Sequence, residues 1–115
     1  MQDCIFCKIA GGEIPSNKVY EDEAVLAFHD IAPQAGKHVL VIPKEHYGDF
    51  DAAERGMDDA ALAHLFRTAA RVARELGLHQ TGYRLASNCG AHACQTVSHL
   101  HLHILGGSQL RGRMG

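Results

Sequence analysis

Gln95-Thr96-Val97-Ser98-His99-Leu100-His101-Leu102-His103-Ile104-Leu105 is the stretch on which the reading of this chain turns. Side chains alternate faces along an extended strand. His99, His101 and His103 should therefore share one face, while Leu100, Leu102 and Ile104 bury the other. Imidazoles two residues apart on a strand stand roughly 6.6 Å from each other, near enough to act together on one anion or one metal. A single histidine there reads as a solvated residue; three in register read as a site.

Around that stretch the composition is that of an ordinary globular protein. The 115 residues, 46 % hydrophobic and 21 % charged, suit one domain spanning 1–115, small enough for oligomerisation to help it. A formal net charge of -2 argues against a broad electrostatic grip on nucleic acid or on an anionic membrane. Any anionic ligand must then be held by local groups, and nine histidines are the compositional signal for them. Met1-Gln2-Asp3-Cys4 lacks the basic-then-apolar pattern of a signal peptide. No apolar run approaches the roughly 20 residues that span a bilayer. The expectation is a cytoplasmic protein whose four cysteines are reduced thiols or metal ligands.

Cys4-x-x-Cys7 has the spacing at which two thiolates across a tight turn meet one tetrahedral ion. The pair could equally be redox-active or two small buried residues. A zinc reading needs two more ligands, for which His46 and His99 are the candidates. Cys89 and Cys94 offer a rival four-cysteine site but flank a small-residue loop better suited to phosphate.

Gly11-Gly12-Glu13-Ile14-Pro15-Ser16 is turn-rich, after which Val19–Glu21 and Ala24–His29 read as strands joined at Asp22-Glu23. Asp30, leaving the second strand, is either a turn cap or an acceptor for both hydroxyls of a ribose. His38–Pro43 is an apolar run suited to a strand buried on both faces, with an irregular segment from Lys44 to Tyr47. Leu62, Leu65, Phe66, Ala69, Val72, Ala73 and Leu76 recur at helical spacing, so one long amphipathic helix runs from about Asp58 to Leu76. Its arginines and His64 and His79 read as solvated. Tyr83–Ser87 is a fourth strand, and Cys89–Thr96 a loop whose small residues let backbone amides approach a phosphate. The residues after Gly107 read as a mobile or partner-contacting tail.

From His99 to Leu105 every position fits His-φ-His-φ-His-φ-φ, where φ is apolar. This resembles the signature of the histidine triad family of nucleotide hydrolases and transferases. Gln95-x-Val97 and Gly106-Gly107 are most similar to the Hint branch, and the likeness runs from Ile5-Phe6 to Gly107. The resemblance implies an α+β fold with about five antiparallel strands, one long helix and a short N-terminal helical segment, assembled as a homodimer. It implies hydrolysis of the P–N bond of purine nucleoside 5'-phosphoramidates through a nucleotidyl-histidine, with AMP as the product from an adenosine substrate. His101 would attack the α-phosphate, His103 and Asn88 would contact phosphate oxygens, Thr96 would contact phosphate or leaving group, and Gln95 would belong to the nucleotide-binding residues. His38 would support the nucleophile, and His99 would either position the cluster or bind zinc. Phe6, Ile9, Phe28, His29 and Ile31 would line a purine pocket, and Asp30 would take the ribose. A structural zinc on Cys4, Cys7, His46 and His99 is implied, and none is needed for the chemistry. Two alternatives stand beside this reading: a dinucleoside polyphosphate hydrolase, and a zinc-binding, nucleotide-sensing interaction protein with little turnover. One departure matters. Ala91-His92-Ala93-Cys94 replaces the acidic residue and glycines usual before the triad, which puts leaving-group preference in question.

Overall fold

A computed structural model describes residues 3–114. Helix α1 (Ile5–Ala10) precedes strands β1 (Lys18–Glu21), β2 (Val25–His29) and β3 (Lys37–Pro43). Helices α2 (Phe50–Gly56) and α3 (Asp59–Glu75) follow, then β4 (Tyr83–Ala86), a single 3-10 turn at Ala91–Ala93, and β5 (Leu102–Gly106). The five strands form one antiparallel sheet in the order β1-β2-β3-β5-β4. The α+β class, the five strands and the long helix are as expected, with the ends of β1 to β4 and of α3 within a residue.

The sheet divides two cores. Val25, Ala27, Val39, Val41, Leu102 and Ile104 face α3, where Leu65, Ala69, Val72 and Ala73 supply its apolar stripe. Leu26, Phe28, Leu40 and Ile42 face the other way, against Phe6 and Ile9 of α1. Strand β3 contributes to both, which is why His38–Pro43 reads as a continuous apolar run. Helix α3 starts where the Asp58 carboxylate accepts from the Ala61 amide at 2.7 Å, and Arg74 complements the dipole in its last turn. Among the described residues no helix is long and apolar enough to cross a membrane.

Three expectations need correction. The triad does not lie on one continuous strand: β5 begins at Leu102, leaving His99 and His101 ahead of it. The backbone there turns away from the ladder, with the His99 amide on the Val97 carbonyl at 2.9 Å and the Leu100 amide on the Tyr47 carbonyl at 2.7 Å. Helix α2 was not anticipated. It is capped by Asp49, which accepts from Ala52 at 2.8 Å, but with Ala53 its only buried residue it shows no helical periodicity. Finally, the tail is tethered at its start, because Ser108 Oγ accepts from the Gly36 amide at 3.0 Å and Arg84 donates to the Arg111 carbonyl at 2.7 Å.

Leu65 is fully buried between α3 and the sheet, on the face away from the histidines. Leu65→Ala should lower unfolding free energy by about 2–5 kcal/mol in denaturant titration, with the imidazole NMR signals of the folded protein little changed.

Candidate functional site

Two of the triad rings gather at Phe6 and the third packs against the second, in place of a flat row along a strand. Phe6 meets His99 and His101 edge-on, with centroids 6.0 and 5.1 Å away, and His101 meets His103 at 4.9 Å. His101 Nδ1 is 2.7 Å from the His99 carbonyl oxygen. A carbonyl only accepts, so Nδ1 carries the proton and the lone pair of the neutral ring is on Nε2. By the same logic, His99 Nε2 donates to the Pro43 carbonyl at 2.8 Å, which leaves His99 Nδ1 as the bare nitrogen.

A second chain of bonds starts on β3. The Gln34 amide donates to His38 Nδ1 at 3.1 Å, and His38 Nε2 is 2.9 Å from His103 Nδ1. Asp30 Oδ2 lies further off, 3.5 Å from the same Nε2. His38 is buried, not the surface residue that a strand-end histidine usually is. Burial is the main reason that its pKa lies below the ordinary imidazole value, with Asp30 opposing and His101 adding to the shift. Burial also pushes His103 down to about 4, helped by His101 and His38 and opposed by Asp30. Both rings are therefore neutral at neutral pH. Asp30, His38 and His103 have the spacing of a metal trio, yet His38 has no lone pair to offer an ion there. Its Nδ1 is taken by the Gln34 amide and its Nε2 carries the proton.

These rings border a cavity of about 290 Å³ lined by Phe6, Ile9, Phe28, His29, Asp30, Ile31, Thr96, His101 and His103 among others. The expected purine-pocket residues and Asp30 are thus brought together, Ile31 as a fully exposed rim. Asn88 and Gln95 are not on its wall. Asn88 donates to the Ala93 carbonyl at 2.8 Å. Gln95 accepts from Gly90 and donates to the carbonyls of Gly48 and Val97, all at 2.8–2.9 Å. Both hold the loop. The amides of Gly90, Ala93, Cys94 and Gln95 also bond within it, which withdraws donors that the sequence offered to phosphate. Cys94 is the one non-glycine described residue with positive φ, at 62°, so it occupies a backbone setting that favours glycine. The expected solvated His64 instead contacts Asp22 Oδ2 at 2.6 Å, while His79 is exposed.

Cys4, Cys7, His46 and His99 converge with all four ligand atoms within 4.8 Å of one another. Sulfur-to-nitrogen distances are 3.2, 3.3 and 3.5 Å, and the two Nδ1 atoms are 3.2 Å apart. A tetrahedral zinc with ordinary bond lengths needs edges of about 3.5 Å for S···N and about 3.3 Å for N···N. With the lone pair of His99 already aimed inward, the donor set fits such an ion. Cys89 and Cys94 are exposed and outside the cluster, so the four-cysteine alternative fails.

The HIT domain model matches residues 11–110. An uncharacterized 13.2 kDa HIT-like protein of Azospirillum brasilense is 50 % identical over 106 residues, 92 % of this chain and 87 % of that one. A 14 kDa zinc-binding protein of Brassica juncea is 48 % identical, covering 94 % of this chain and 96 % of its own. Among solved structures, a histidine triad protein of Clostridium difficile superposes with a TM-score of 0.89 at 46 % identity, over 99 % of this chain and 98 % of the other. A HIT family hydrolase of Legionella pneumophila gives 0.93 at 44 %, over 98 % and 100 %. Fold, histidine cluster and sequence agree: this chain belongs to the HIT domain family.

The lowered imidazoles have a consequence for stability. In the unfolded chain His38 and His103 take up protons around the ordinary imidazole value of 6.5, whereas folded His103 does so only near about 4. The unfolded state therefore binds more protons in that window. Unfolding free energy should be full above about pH 6.5 and decline as pH falls toward about 4, and His103→Gln should flatten that slope in denaturant titrations across the range.

Proposed function

We propose that this chain is a hydrolase of purine nucleoside 5'-phosphoramidates that works through a covalent nucleotidyl-histidine. The observation that carries the reading is His101 Nε2, left with its lone pair by the Nδ1 bond to the His99 carbonyl in a ring bordering the cavity. A purine enters between Phe6, Ile9 and Phe28, and Asp30 accepts from the ribose hydroxyls. The α-phosphorus is then offered to His101 Nε2, which forms the N–P bond as the P–N bond breaks, the leaving nitrogen taking up a proton from solvent to depart as the amine, a proton that the attacking water returns in the next step. His103 Nε2–H donates to a non-bridging oxygen, and Thr96 contacts phosphate or leaving amine. Water then attacks the same phosphorus, releasing the nucleoside monophosphate and restoring the imidazole. The similarity to the HIT family hydrolase of Legionella pneumophila supports the reaction class.

The Cys4, Cys7, His46 and His99 cluster is proposed to hold zinc, in keeping with the zinc-binding Brassica relative. Bound there, the metal is structural: it fixes the His99 ring and ties α1 to the approach of β5. We also infer a homodimer, to which the exposed Tyr83 and Leu85 of edge strand β4 lend support. A cytoplasmic location remains part of the same proposal.

Wild-type protein incubated with adenosine 5'-monophosphoramidate should release AMP, and His101→Ala should lose several orders of magnitude in rate, because the covalent step has no substitute. Full release by His101→Ala contradicts the mechanism. Faster turnover of a diadenosine polyphosphate than of the amidate moves the assignment to that substrate class. Protein purified without chelators should contain about one zinc per chain by elemental analysis. Cys7→Ser should lose it and melt at lower temperature; a zinc-free wild type removes the metal assignment.

A further inference from the structure

We infer that the backbone N–H of Gln34 is a positioning group for the phosphate site, because it sets which nitrogen of His38, and through it of His103, carries the proton. This rests on the reading above only for its effect on nucleotide; the proton placement stands on geometry alone. The Gln34 amide lies 3.1 Å from His38 Nδ1 and can only donate. Neutral His38 is thereby restricted to the Nε2–H form, whose proton points at His103 Nδ1, 2.9 Å away. His103 Nδ1 must accept it. That leaves His103 with its own proton on Nε2, a donor for a phosphoryl oxygen.

Removing the Gln34 amide reverses the logic. His38 could then keep its proton on Nδ1, its Nε2 would become an acceptor, and His103 would turn its Nδ1–H toward it. His103 would present a lone pair to the phosphate in place of a hydrogen-bond donor. One main-chain N–H thus decides whether the third triad ring attracts or repels an anionic oxygen.

The loop around Gln34 is built to hold that amide still. Its ends are joined by the Asp30 amide on the His38 carbonyl at 2.9 Å. Inside it, Asp30 Oδ1 accepts from Ala32 at 2.8 Å and the Gln34 side chain donates to the Ala32 carbonyl at 3.0 Å. Its far side is locked to the chain end. Ser108 Oγ takes the Gly36 amide, and a Cβ on Gly36 would stand 2.9 Å from the Gly107 carbonyl oxygen. Asp30 therefore belongs to the loop that sets the His38 proton as well as to the cavity wall, which links ribose contact to the state of the phosphate donor.

The test compares Gln34→Pro, which deletes the N–H, with Gln34→Ala, which retains it. Gln34 does not occupy the left-handed region, so its φ lies on the negative side that proline requires. Nitrogen-15 NMR of the imidazoles should show His38 and His103 both as Nε2–H rings in wild type and in Gln34→Ala. In Gln34→Pro both should shift toward the Nδ1–H form. In Gln34→Pro AMP affinity by titration calorimetry should fall about 10- to 100-fold, the worth of one hydrogen bond to a charged group, and Gln34→Ala, which keeps the N–H and loses only the side-chain bond to Ala32, should fall much less. Should the proline variant not fold, an ester at position 34, with oxygen in place of the N–H, makes the same deletion at nearly unchanged shape. Wild-type His38 protonated on Nδ1, or a folded Gln34→Pro or ester variant with the wild-type pattern, overturns the inference. A wild type that never hydrolyses the amidate leaves the NMR result intact and fails only the functional reading.

Discussion

One hydrogen bond organises this molecule: His101 Nδ1–H to the carbonyl of His99, at 2.7 Å. It fixes the Nδ1 proton and thereby reserves Nε2 as the only remaining basic atom of a buried ring. An imidazole that is to act as a nucleophile needs a nitrogen free of internal partners, and here the partner of the other nitrogen is a main-chain carbonyl in place of a carboxylate. The carbonyl is free to accept because residues 97–101 leave the ladder before β5 begins. A strand running straight through the triad would have engaged that oxygen in pairing.

His99 serves the arrangement twice. Its carbonyl orients His101, while its ring, bonded through Nε2 to Pro43, offers Nδ1 to Cys4, Cys7 and His46. Positioning and metal binding looked like competing uses of the two ring nitrogens. They are not, since the positioning is done by the main chain. A metal held by the cluster would stiffen the same residue whose carbonyl aligns the His101 ring, joining α1, the segment after β3 and the approach to β5 at one point. Phe6 reinforces this from the cavity side by packing edge-on against His99, His101 and Phe28.

Much of this was legible in the sequence, for identifiable reasons. The period-two pattern around His103, the double-faced apolar run of β3 and the helical stripe of α3 all involve burial strong enough to leave a regular trace. The Cys-x-x-Cys pair and its partner histidines were readable because metal geometry restricts ligand type and spacing. What escaped is decided by single backbone groups. The departure from the ladder at Val97–His101, the Asn88 and Gln95 side chains turned into the loop, and the Gln34 amide on His38 follow from individual main-chain hydrogen bonds. Such bonds impose no side-chain periodicity. Helix α2 escaped too, since one buried alanine does not make a stripe; its trace in the sequence is Asp49 ahead of Ala52-Ala53-Glu54, a cap followed by helix formers.

The account comes down to where a phosphorus atom meets the His101 ring. A crystal structure with a bound purine mononucleotide tests this most directly. The account places the base against Phe6, Ile9 and Phe28, the ribose hydroxyls on Asp30, and the phosphorus about 3–3.5 Å from His101 Nε2 and in line with its lone pair. A nucleotide held with its phosphate away from that nitrogen, or with Nδ1 of His101 turned toward it, contradicts the account.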